Sequence, residues 1–167
     1  LAAYVLWSAA GVGTFVAAAI GRTPQKSDWP LVLALVISPV VISNIVFGQI
    51  ALLVTGLFIA AMRLMPARPV LAGVLIGCMT VKPQLGLLIP VFLLALGAWR
   101  TIAAAGVTTA ALGAISIALF GIEPWRAYLT DTAGLQWSYI LAMNDFYAIH
   151  MTTPYAALWT VGVPVKT

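Results

Sequence analysis

Hydrophobic runs along this chain are separated by short polar breaks: GRTPQKSDWP at 21–30, FGQ at 47–49, RLMPARP at 63–69, KPQ at 82–84 and WR at 99–100. A membrane crossing takes about 20 apolar helical residues. The breaks therefore predict about six membrane segments in residues 1–121, at 1–20, 30–47, 50–63, 69–81, 84–98 and 101–121. Residues 122–153 read as a loop with an interfacial helix on the non-cytoplasmic side, and 154–167 as the start of a further membrane segment. The predicted fold is all-α, a polytopic transmembrane helix bundle with short broken helices and an interfacial helix.

Two of these segments are short. Residues 70–81 make a helix of roughly 18 Å against a hydrocarbon core of about 30 Å, whereas one helix over 70–98 would run roughly 43 Å. Either the chain turns at KPQ as a hairpin, or a long tilted helix carries Lys82 at mid-membrane. The hairpin puts Arg22, Lys26, Arg63, Arg68 and Arg100 on one face, as the positive-inside rule favours, and is the preferred reading. The single helix sends Arg100 to the other face and leaves Lys82 at a cost of about 2.5–3.5 kcal/mol. In the hairpin the NIVFGQ turn, the KPQ turn and the last third of the chain all fall on the face opposite the arginines.

Composition agrees with this solvent: 63% of residues are hydrophobic, 7% are charged, and the mean hydropathy is +1.09. The net charge of +4 comes from basic residues scattered singly, which reads as topology anchoring and not as a nucleic-acid patch. One cysteine, Cys78, and one histidine exclude a disulfide framework and argue against a zinc site, so no metal and no cofactor are expected. No P-loop, dinucleotide fingerprint, HExxH or Ser-His-Asp spacing is present. The opening run, LAAYVLWSAAGVGTFVAAAI, lacks a charged n-region and a cleavage site and reads as a spanning helix of a longer protein.

The chemistry-bearing residues are few. Pro83 cannot donate a backbone hydrogen bond and biases Lys82 away from helical dihedrals. Lys82-Pro83-Gln84 thus reads either as a helix break presenting a cation to an anionic headgroup, with Gln84 adding hydrogen bonds, or as an interfacial anchor. Asn44, Gly48 and Gln49 read either as part of that site or as a helix-packing cluster. Ser38-Pro39 reads as a kink, and Gly73-x3-Gly77 as a close helix contact. In EPWRAYLTDTAGLQWSYIL the tryptophans and tyrosines suit headgroup level, and Arg126 is a candidate for a lipid phosphate. Asp131, Asp145 and His150 are candidate acid/base groups.

The stretch SPVVISNIVFGQIALLVTGLFIAAMRLMPARPVLAGVLIGCMTVKPQLGLLIPVFLLALGAWR resembles the core of glycosyltransferase family 87, polytopic mannosyltransferase-like bacterial membrane proteins with a C-type glycosyltransferase fold. The likeness rests on an ordered set: a GQ turn, an apolar helix, a basic loop ending RPVLAGVLIG, then KPQ and an apolar helix ending WR. EPWRAYL and MTTPYAALWTVGVP continue it, over about 30–165. The pattern departs in FGQI, where an asparagine often follows the glutamine, and at His150, where a lysine is common.

The resemblance implies transfer of a hexose, mannose in type, from a polyprenyl-phosphate carrier to a glycan or glycolipid acceptor on the periplasmic side of the bacterial inner membrane. Lys82, Gln84, Gln49, Asn44 and Arg126 are then expected at the donor phosphate or substrate. In such enzymes the catalytic base lies in the first periplasmic loop, and the chain is expected to begin after it. The competing reading is a non-enzymatic flippase or transporter of a lipid-linked sugar. A carboxylate near Lys82 and Gln49 would favour transfer; an apolar surround would favour binding or transport.

Overall fold

A computed structural model describes residues 2–22, 25–82, 88–142 and 161; the described elements are all helical. Two compact units divide the chain, 1–114 and 115–167.

The first unit contains α1 (Ala2–Ile20), α2 (Trp29–Val36), α3 (Pro39–Val46), α4 (Ala51–Leu64), α5 (Pro69–Cys78) and α6 (Ile89–Ala95), with α7 (Trp99–Phe120) entering it from Trp99. Short 3-10 turns precede α2 at Lys26–Asp28 and follow α5 at Met79–Val81. The 30–47 segment is two helices bent by 56° at Ser38-Pro39. Pro39 cannot donate to the preceding turn, and the Ser38 hydroxyl caps α3 by accepting the Val41 N–H at 3.4 Å.

Glycines set the helix packing. A Cβ on Gly56 of α4 would lie 2.8 Å from the Phe15 nitrogen, so α1 and α4 meet backbone to backbone. Arg63, at the end of α4, donates to the Ala19 carbonyl at 2.9 Å, so the two helices run parallel. Gly73 and Gly77 of α5 do the same against α7. A Cβ would come 2.4 Å from the Thr101 carbonyl oxygen at Gly73 and 2.5 Å from the Thr108 Cβ at Gly77. Small residues allow this approach where no hydrophobic force drives helices together in lipid.

A single helix over 70–98 is excluded. The buried Thr101 hydroxyl donates to the Pro69 carbonyl at 3.1 Å, so the chain reverses between them. Ile89 and Leu93 of α6 share a core with Ala72, Ile76 and Met79. The helix ends at Ala95, because Gly97 at φ +63 turns the chain and Leu96 and Ala98 lie outside it.

Among the described residues, Leu93 and Val41 are the largest apolar side chains that are fully buried, while Val70, Leu96 and Val107 stand more than half exposed. Among the described residues, α7 alone is long and apolar enough to cross a membrane by itself, and the bent α2–α3 pair passes as one broken span. Tyr4–Ile20, Ala51–Leu64 and Pro69–Val81 are apolar but shorter. The second unit contains the rest of α7 and α8 (Glu123–Ala142).

Candidate functional site

The helix directions bring two turns to one end of the first unit. α3 closes on Gly48, whose φ of +61 suits glycine and strains other residues. The Gly48 N–H donates to the Ile45 carbonyl at 3.0 Å, and the Gln49 N–H reaches back to the Asn44 carbonyl at 2.8 Å. This paired closure ties Gln49 to Asn44 and explains the glycine at 48. Tyr4 of α1 donates its hydroxyl to the Ile45 carbonyl, fixing the same turn from another helix.

The second turn is the end of α5. The helix tightens at Met79–Val81, the Lys82 N–H donates to the Met79 carbonyl at 3.0 Å, and Lys82 leaves helical dihedrals at φ −139° and ψ 75°. A residue before proline is driven there sterically. Thr80 anchors the turn, its hydroxyl 3.0 Å from that of Thr109 on α7.

Across these turns the Lys82 Nζ donates to the Gln49 Oε1 at 3.1 Å. An ammonium has three donors, and the amide takes one. The ion pairs among the described residues are Arg22 with Asp28 and Arg126 with Glu123, so no described carboxylate neutralises Lys82. Beside this pair Asn44 donates its Nδ2 to the Val40 carbonyl at 3.3 Å, while its buried Oδ1 has no partner among the described residues. Asn44 and Gln49 line a small open cleft with Trp7 and Ser8 of α1. An unmet acceptor and a tryptophan thus share a cleft with Gln49, which holds the Lys82 cation: groups that suit an anion bearing a hydroxylated ring.

Arg22, Lys26, Arg63, Arg68 and Arg100 belong to the opposite end, one length of α5 away. With its 3-10 turn that is roughly 20 Å. Asp28 accepts the Gln25 N–H and the Arg22 guanidinium, each at 2.8 Å, which hold its carboxyl below the usual aspartate range.

Over this whole arrangement, the sequence profile of glycosyltransferase family 87 matches residues 1–165. The chain belongs to glycosyltransferase family 87. No curated protein and no solved structure matches it. Family 87 membership makes this chain a membrane glycosyltransferase in kind, with a sugar donor and an acceptor as substrates. The match takes in α1, which the motifs over 30–165 did not include.

Of the site residues expected from sequence, the structure joins Lys82, Gln49 and Asn44. Gln84, Asp145 and His150 lie outside the described residues. In the second unit, Arg126 donates to Glu123 at 2.8 Å on the exposed face of α8, and Asp131 accepts the Thr130 hydroxyl at 2.6 Å. Trp7, Ser8 and Thr80 were not expected. No local sequence signal marks them, because only the packing of α1 on α4 and of α5 on α7 brings them to these turns.

Proposed function

We propose that this family 87 chain is a multi-pass hexosyltransferase of the bacterial inner membrane that moves a mannose-type sugar from a polyprenyl-phosphate carrier to a periplasmic-side acceptor. The observation that carries the reading is the Lys82–Gln49 pair: a cation held by an amide at the end of a broken helix, with no described carboxylate neutralising it. It lies opposite five basic residues that the positive-inside rule assigns to the cytoplasm. The apolar surface of α7 and of the shorter helices suits lipid, since a soluble chain rarely exposes so much.

In the transfer the acceptor oxygen attacks the anomeric carbon and the bond from that carbon to the phosphate oxygen breaks. The electron pair stays on the departing lipid phosphate, where a fixed cation is worth most. Lys82 supplies that charge and Gln49 holds its ammonium in place. The Asn44 Oδ1 accepts a sugar hydroxyl, and Trp7 offers a face to the ring. A general base removes the acceptor proton; Asp131, Asp145 and His150 are the candidates this chain offers. Gln84 and Arg126 are candidates for further contacts to the donor.

The test compares full-length wild type with Lys82→Ala in membranes, following labelled sugar released from a polyprenyl-phosphate donor. Transfer that collapses in a folded variant supports the assignment. Absence of transfer over a panel of donors and acceptors, with lipid binding retained by wild type alone, would replace it with a flippase.

A further inference from the structure

We infer that Arg68 and Arg100 form a binding site for the phosphate of an anionic phospholipid, at the end of the first unit remote from Lys82. The charge balance motivates it. Residues 1–114 contain the basic residues Arg22, Lys26, Arg63, Lys82, Arg68 and Arg100 and a single acid, Asp28, which pairs with Arg22. Arg63 is engaged by the Ala19 carbonyl and Lys82 by Gln49. Arg68 and Arg100 are exposed, and neither side chain has a hydrogen bond or ion pair among the described residues.

Their placement is built, not incidental. Arg68 immediately precedes α5 and Arg100 lies in the first turn of α7. The two helices run parallel in close contact at Gly73 and Gly77, and their first turns are joined by the 3.1 Å bond from Thr101 to Pro69. Each arginine is thus the chain neighbour of one partner in that buried bond, so the two guanidiniums spring from a fixed base. Both side chains are arginine, whose planar fork grips phosphate through two parallel bonds where lysine offers a point charge.

The surroundings choose a lipid over a soluble anion. Trp99, beside Arg100, is 66% exposed, as an indole at headgroup level would be. Val70 at 59% and Leu96 at 56% continue the exposed surface as bare hydrocarbon. Cation above and apolar wall below match a phospholipid, with the phosphate at the arginines and the acyl chain along α5 and α6.

The experiment measures retention of phosphatidylglycerol against phosphatidylcholine on the purified full-length protein by native mass spectrometry. Wild type is expected to keep phosphatidylglycerol preferentially. Arg68→Gln with Arg100→Gln should lose at least roughly tenfold in that preference, since each basic contact at a membrane surface contributes appreciably. Lys26→Gln, at the same end, should lose much less. Equal losses in Lys26→Gln, unchanged retention in the double variant, or displacement of the lipid by inorganic phosphate would each overturn the site. If the glutamine variant does not fold, Arg68→Lys with Arg100→Lys keeps the charges that orient the chain. It is expected to lose several-fold through the missing forks, and full retention would overturn the inference.

Discussion

Lys82 and Gln49 stand 33 positions apart in the chain and share a 3.1 Å hydrogen bond between side chains. One closes α5 and the other follows α3, and each occupies a break imposed by its neighbour, Pro83 for Lys82 and Gly48 for Gln49. The pair implies a graded response to substitution. Lys82→Ala is expected to lower the turnover of sugar transfer by about 10²-fold or more, the scale for removing one group that stabilises developing charge. Gln49→Leu should cost roughly tenfold, because it removes an orienting bond to a charged group and leaves the charge. Steady-state kinetics on a polyprenyl-phosphate donor, with folding checked by size-exclusion profile, reads both.

Asn44 offers a sharper separation of stability from activity. Its Oδ1 is buried without a described partner, so Asn44→Leu removes an unmet acceptor at the loss of one 3.3 Å bond to Val40. Thermal stability should change by no more than about 1 kcal/mol. Transfer should fall well beyond that if a sugar hydroxyl meets the Oδ1, and a parallel loss of stability and transfer would assign the residue to packing alone.

Gly73→Ala is expected to destabilise the first unit by about 1–3 kcal/mol, the usual cost of overpacking. The new Cβ would meet the Thr101 carbonyl oxygen, a backbone atom with no rotamer to yield. Gly106→Ala is the control: it lies within α7, and a Cβ there meets nothing within 4 Å. That variant should be neutral or slightly stabilising, since alanine favours a helix over glycine by about 1 kcal/mol. Thermal unfolding in detergent distinguishes the two.

Arg63→Ala should weaken α1 specifically. The guanidinium donates to the Ala19 carbonyl in the last turn and packs over Gly21, whose φ of +71 ends the helix. A cation at a helix carboxyl end contributes about 0.3–1 kcal/mol. Hydrogen exchange should therefore rise in the last turns of α1 more than in α5.

Acid should loosen the hold of Asp28 on Gln25 and Arg22. The Gln25 N–H first, and Arg22 after it, lower the Asp28 pKa. A depressed folded pKa contributes stability above the ordinary aspartate range, and that contribution is lost as the pH falls through the lower folded value. The stability difference between wild type and Asp28→Asn should be constant at neutral pH and vanish in that acid window, as read by unfolding at a series of pH values.

Much of the site was legible because its signals are local. Proline after Lys82 and glycine before Gln49 announce breaks that any context must honour, since they follow from a missing N–H and a missing Cβ. The kink at Ser38-Pro39 follows from the same rule, and its 56° shows how far the chain bends there. The extents of the helices were less legible. Residues 84–98 read as one apolar run, yet Gly97 at φ +63 ends the helix at Ala95, and hydropathy does not register a backbone dihedral.

Composition and the spacing of polar breaks thus determined by themselves that the chain is helical and apolar, where it breaks, and which family it resembles, because each depends on residue type and near neighbours. That Lys82 bonds Gln49, that Trp7 and Asn44 share a cleft with Gln49, and that Thr101 meets Pro69 were decided only by tertiary structure. Each depends on how closely two helices approach, which Gly56, Gly73 and Gly77 set through atoms far away in sequence.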